Sequence, residues 1–78
     1  MSKHKPIDEI RIGSVKAAIW KNTTDNGDRF NVTFQRLYRD GDEWKSTSSF
    51  DREDLLRLAK LADRVHSRIY ELQQEMSN

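Results

Sequence analysis

Seven basic side chains fall among the β-branched and aromatic residues between Ile10 and Phe50: Arg11, Lys16, Lys21, Arg29, Arg36, Arg39 and Lys45. The five acids of that segment, Asp25, Asp28, Asp40, Asp42 and Glu43, all sit where the apolar pattern breaks. Interleaved with the bases are Trp20, Tyr38 and Trp44 and the polar Asn31, Thr33, Gln35, Thr47 and Ser49. Cations follow a phosphate chain, and aromatic faces stack bases at about 1 to 3 kcal/mol each, so this mixture suits a single-stranded nucleic acid. A duplex is better served by a helix that enters a groove. The same residue types also line ordinary solvent-facing strands, where Lys and Arg discourage edge pairing and tryptophans complete a lean core.

Other chemistry has less to work with. The serines cluster at Ser46 to Ser49, and His4 and His66 are far apart in the chain, so no nucleophile with its base is suggested and no enzyme is expected. Asp40, Asp42 and Glu43 lack the twelve-residue calcium-loop spacing and read as a solvated turn. Gly13, Gly27 and Gly41 are scattered turn residues, not a phosphate cradle, and the chain has no cysteine. No metal or other cofactor is expected.

The elements that must position these residues follow from periodicity. Alternation of period two predicts strands at Glu9 to Ile12, Val15 to Lys21, Arg29 to Arg39 and Trp44 to Phe50, separated by Gly13-Ser14, Asn22 to Asp28 and Asp40 to Glu43. At Asp51 the period becomes 3.6, with Leu55, Leu58, Ala62, Val65, Ile69 and Leu72 at alternating spacings of three and four. Asp51 is placed to cap this helix, Glu53 and Asp54 suit its first turn, and Phe50 can staple onto Leu55. The expected fold is α+β: a curved four-stranded antiparallel meander followed by one long C-terminal helix, ββββα. Residues 1–9 read as a flexible basic tail, 10–75 as the single domain and 76–78 as a frayed end. On the third of these strands, Arg29 to Arg39, Arg36 and Tyr38 share the phase of Phe30, Val32 and Phe34. They face the core side unless the strand twists, bulges or outruns the helix.

The 78 residues are 35% apolar, against about 45 to 50% in ordinary domains, so the core is lean. A helix to about Gln74 is roughly 35 Å long, whereas six-residue strands span about 20 Å. The overhang would carry Val65, Ile69, Leu72 and Met76, for which a symmetric dimer through the helices is the expected cover and a frayed helix end the alternative. Fourteen Lys+Arg against thirteen Asp+Glu give a net charge of +1, so any electrostatic argument is local. The start Met-Ser-Lys-His-Lys-Pro lacks an apolar run and no membrane span is evident, which makes the cytoplasm the expected location, nucleoid association being an open option within it.

The stretch Phe34-Gln35-Arg36-Leu37-Tyr38-Arg39-Asp40-Gly41-Asp42-Glu43-Trp44-Lys45, with Ser49 to Leu55 after it, resembles the positive cofactor four family of transcriptional coactivators. It is similar to that family's strand bearing Arg-x-Tyr, its acidic glycine turn, its lysine-containing return strand and its exit into a helix. Asp51 stands where the family commonly has a capping Asn, Leu55 where Trp is common, and Ser46 to Ser49 where Gly and Lys are frequent. The resemblance, over roughly Ile10 to Leu72, implies a homodimer that binds single-stranded DNA and implicates Arg36, Tyr38 and Lys45. The face argument adds Lys16, Trp20, Lys21, Arg39 and Trp44, while Val65, Ile69 and Leu72 are the expected dimer contacts. Binding of single-stranded DNA or RNA with low sequence specificity, in transcription regulation, replication or recombination, is the leading expectation. The competing one is a protein-protein adaptor whose sheet face or edge receives a partner strand or helix.

Overall fold

The computed structural model describes residues 5–76, Met76 by its backbone alone; Lys3, His4, the Met76 side chain and residues 77–78 lie outside what is described. Four strands, β1 (Asp8–Ile12), β2 (Val15–Thr24), β3 (Gly27–Asp40) and β4 (Glu43–Thr47), precede one helix, α1 (Arg52–Met76). The strands form an open antiparallel sheet in the order β1-β2-β3-β4, so the ββββα architecture expected from periodicity is the observed one. No helix among the described residues is long and apolar enough to cross a membrane.

Sheet pairing reaches further than apolar alternation does. Ile7 donates its backbone N–H to the Ile19 carbonyl at 2.8 Å and β1 begins at Asp8, so pairing starts inside the segment assigned to a flexible tail. Asn22, Thr23 and Thr24 pair with Arg29, Asp28 and Gly27, leaving a turn much shorter than the Asn22-to-Asp28 break. Backbone hydrogen bonds extend the hairpin there without any side chain to bury, which is why hydrophobic pattern misses it. At the fourth strand the error is reversed: β4 ends at Thr47, and Phe50 leaves the sheet to pack on the core. Gly13 and Gly41 take φ of 59° and 64° at the first turn position after β1 and β3, where a side chain would be strained.

The core is formed by Val15, Ala17 and Ile19 of β2 against Leu61 and Val65 of α1. The expected apolar stripe is therefore rotated. Leu61, absent from it, is fully buried, whereas Leu55 is 51% exposed and Ala62 is exposed. Leu55 is thus no buried staple partner for Phe50. Asp54, the buried acid, begins the sheet-facing seam that continues through Leu58, Leu61 and Val65. At the helix start the bond expected of Asp51 is supplied from the other side: Asp51 N–H donates to Asp54 Oδ2 at 3.0 Å, the back-reaching half of a capping box.

Toward the other end, Arg68 Nε donates to Asp8 Oδ2 at 2.8 Å and ties the helix to β1. This hydrogen bond holds the Asp8 carboxyl below the usual carboxylate range, and the Glu9 amide adds to the effect. A carboxylate whose pKa is lowered by folding contributes stability above its unfolded pKa and loses it as pH falls through the folded value. The gap in urea midpoint between the parent chain and Asp8→Asn should be present at about pH 6 and shrink on acidification toward about pH 2. A gap of constant size would remove the ion pair as its cause.

Candidate nucleic-acid interface

The register divides the sheet's side chains into two sets. Val15, Ala17 and Ile19 point at the helix, so Lys16, Ala18, Trp20 and Asn22 point away from it. Their neighbours on the outer face are Glu9 and Arg11 on β1, and Arg29, Asn31, Thr33 and Gln35 on β3. Past the end of β2 the face continues through Leu37 and Arg39, paired with Ser46 and Trp44 of β4. From Arg29 to Arg39 this track is about 34 Å long at 3.4 Å per residue.

Four cations, Arg11, Lys16, Arg29 and Arg39, share the outer face with one carboxylate, Glu9. None of the four forms an ion pair with a described residue. Arg11 and Arg39 instead donate to the carbonyls of Gly13 and Gly41, at 2.8 and 3.2 Å, which holds each guanidinium beside its turn. Trp44 is 64% exposed, with Arg39 5.6 Å from its ring centroid. Trp20 donates Nε1–H to Thr33 Oγ1 at 2.9 Å, which draws the indole along the sheet toward the strand partner of Ala18. Ala18 is only 7% exposed although it faces outward.

The inner-facing cations behave differently. Lys21 pairs with Asp28 at 3.6 Å, Lys45 with Asp40 at 2.9 Å, and Arg36 with Asp54 at 3.3 Å. Arg36 Nε also donates to the Ser49 carbonyl at 3.1 Å, and the guanidinium lies 5.8 Å from the Tyr38 ring centroid. Of the eight residues expected at the interface, Lys16, Trp20, Arg39 and Trp44 come together on the outer face. Lys21, Arg36, Tyr38 and Lys45 lie on the opposite one. Arg36 belongs to the junction between helix start and sheet; its phase with Phe30, Val32 and Phe34 already said so. Arg11 and Arg29 complete the outer set, and cross-strand register is the signal that finds them.

The expected dimer contacts are also redistributed. Val65 is 3% exposed beneath the sheet and is not available to another chain, while Ile69 and Leu72 are half-buried at the rim. No family model, curated protein or solved structure matches this chain.

Removing Arg36 takes a partner from the buried Asp54 carboxylate, leaving it Arg57 at 3.6 Å and the Asp51 amide, whereas removing Lys16 leaves no partner behind. Arg36→Ala should cost about 2 to 3 kcal/mol of unfolding free energy and Lys16→Ala no more than about 0.5 kcal/mol, read by urea denaturation. Equal losses would contradict the division of cations between the two faces.

Proposed function

We propose that this protein binds single-stranded nucleic acid, DNA in preference, along the outer face of the sheet, in the service of transcription regulation, replication or recombination. The observation that carries the reading is the set of four outward cations without carboxylate partners, accompanied by Trp20 and the exposed Trp44. Phosphates would follow Arg11, Lys16, Arg29 and Arg39, and Trp44 would stack a base. Asn22, Asn31 and Gln35 add donors and acceptors on the same face without imposing one sequence. The face suits a flexible strand: it offers a broad polar strip and no protruding helix to enter a groove. At 3.4 Å per stacked nucleotide, about ten nucleotides would span the track.

Labelled oligo-dT and a duplex of equal length, titrated by fluorescence anisotropy, test this directly. The single strand should bind more tightly, with a log-log salt slope of roughly −3 if all four cations meet phosphates. Trp44→Ala should weaken binding by roughly five- to a hundredfold, the range set by one lost stack, and Lys16→Glu with Arg39→Glu should weaken it further. No preference for the single strand at any concentration below millimolar would reject the proposal.

A further inference from the structure

Antiparallel pairing fixes where backbone groups point as well as side chains, because alternate residues bond to opposite neighbours. Leu37 donates its N–H to the Ser14 carbonyl at 2.8 Å, in the register that sets Arg36 beside Val15, so the odd-numbered residues of β3 direct their N–H and C=O groups at β2. The even-numbered residues direct theirs to the other side. There β4 takes up Arg36, Tyr38 and Asp40, opposite Thr47, Lys45 and Glu43, and goes no further. Asp28, Phe30, Val32 and Phe34 are left with N–H and C=O groups that no described strand pairs. The same four residues put their side chains on the inner face, where Phe30, Val32 and Phe34 stay half-buried because α1 packs chiefly on β2 and β1.

Exposed sheet edges are ordinarily blunted by short length, charge or proline. The β1 edge is blunted: it has five residues, among them Asp8, Glu9 and Arg11. The β3 edge from Phe30 to Gln35 reads Phe-Asn-Val-Thr-Phe-Gln, with no charge, proline or glycine. We propose that this edge docks an extended peptide segment of a partner protein, which adds antiparallel as a further strand in the place that β4 leaves. The edge prescribes the chemistry of that segment. Residues opposite Phe34, Val32 and Phe30 point inward and are β-branched or aromatic, covering those side chains across the new pair. Residues opposite Thr33 and Asn31 point to solvent beside a hydroxyl and an amide, and are polar. The residue opposite Arg29, a cation with no ion pair among the described residues, is a carboxylate. A second copy of β3 does not meet the last term, because its outward positions, Arg29, Asn31, Thr33, Gln35, Leu37 and Arg39, hold no acid. The segment shares only Arg29 with the proposed nucleic-acid track, so peptide docking stands whether or not DNA binds.

The probe is the labelled peptide acetyl-Val-Thr-Ile-Thr-Val-Glu-Lys-amide, whose isoleucine falls opposite Val32 and whose glutamate falls opposite Arg29. Titrated into the full chain by fluorescence anisotropy, it should bind saturably below millimolar concentration. Amide hydrogen exchange of the free chain, followed by NMR, should alternate along the strand, slow at Asn31 and Thr33 and fast at Phe30 and Val32; bound peptide should slow Phe30 and Val32 at least about tenfold. N-methylation of the isoleucine, whose N–H points at the edge, should weaken binding at least about tenfold. Methylation of the threonine after it, whose N–H points away, should weaken binding less than about twofold. Arg29→Glu should weaken binding about fivefold, and a peptide with lysine in place of glutamate should recover it. No saturable binding below millimolar, or equal losses from the two methyl groups, overturns strand addition. Phe30 and Val32 amides already protected in the free chain, as a second copy on the edge would make them, overturn it too. Undiminished binding to Arg29→Glu overturns the carboxylate and its register.

Discussion

Everything in this chain follows from a shortage of cover: one helix must serve four strands. It packs on β2 and β1, and the fully buried core is confined to three β2 residues and two helix residues. What the helix leaves uncovered then determines the rest. The outer face is open across the whole sheet, β3 keeps half-buried aromatics on its inner face, and the β3–β4 ribbon runs on beyond β2. Two ion pairs also tie the helix to the sheet, Asp54 with Arg36 at its start and Arg68 with Asp8 further along.

These anchors also sort the charges. A net charge of +1 conceals an inner face whose strand cations are paired and an outer face whose cations are not. Exposed ion pairs contribute little to stability, so the pairs formed by Lys21 and Lys45 matter chiefly for cancelling local field. The Arg36–Asp54 pair differs because its carboxylate is 5% exposed. There the attraction, with the Asp51 amide and Arg57 at 3.6 Å beside it, offsets the desolvation of the carboxylate.

Strand order, the helix start at residue 52 and the alternation of β2 and β3 were all legible in the sequence, because each rests on a short-range period. The rotation of the helix was not. Its apolar residues cover a wide arc, from Leu61 through Val65 and Ile69 to Leu55 and Ala59, and a wide arc has two edges between which periodicity does not choose. A buried Asp54 deepens the ambiguity, since a polar residue marks the sheet-facing seam and a leucine the exposed one. The outer face was half legible for a related reason. Alternation put Lys16, Trp20, Arg39 and Trp44 on the outer face, but the same argument added Lys21, in phase with Val15, and the family resemblance drew in Arg36, Tyr38 and Lys45, which lie on the other side. Arg11 and Arg29 emerge only when register aligns β1 and β3 with β2.

The meander's connectivity has a kinetic consequence. Each strand pairs with its neighbour in sequence, so all three hairpins close over short loops and need nothing distant to begin. The docking of α1 on β1 and β2 joins far more distant parts of the chain, carrying Arg68 back across 60 residues to Asp8. That step assembles the core and bears most of the loop-closure entropy, which makes it the natural barrier to folding. The distal β3–β4 ribbon, with Arg39 and Trp44 on it, lies away from the surface on which α1 docks, so local opening there would disturb that docking least.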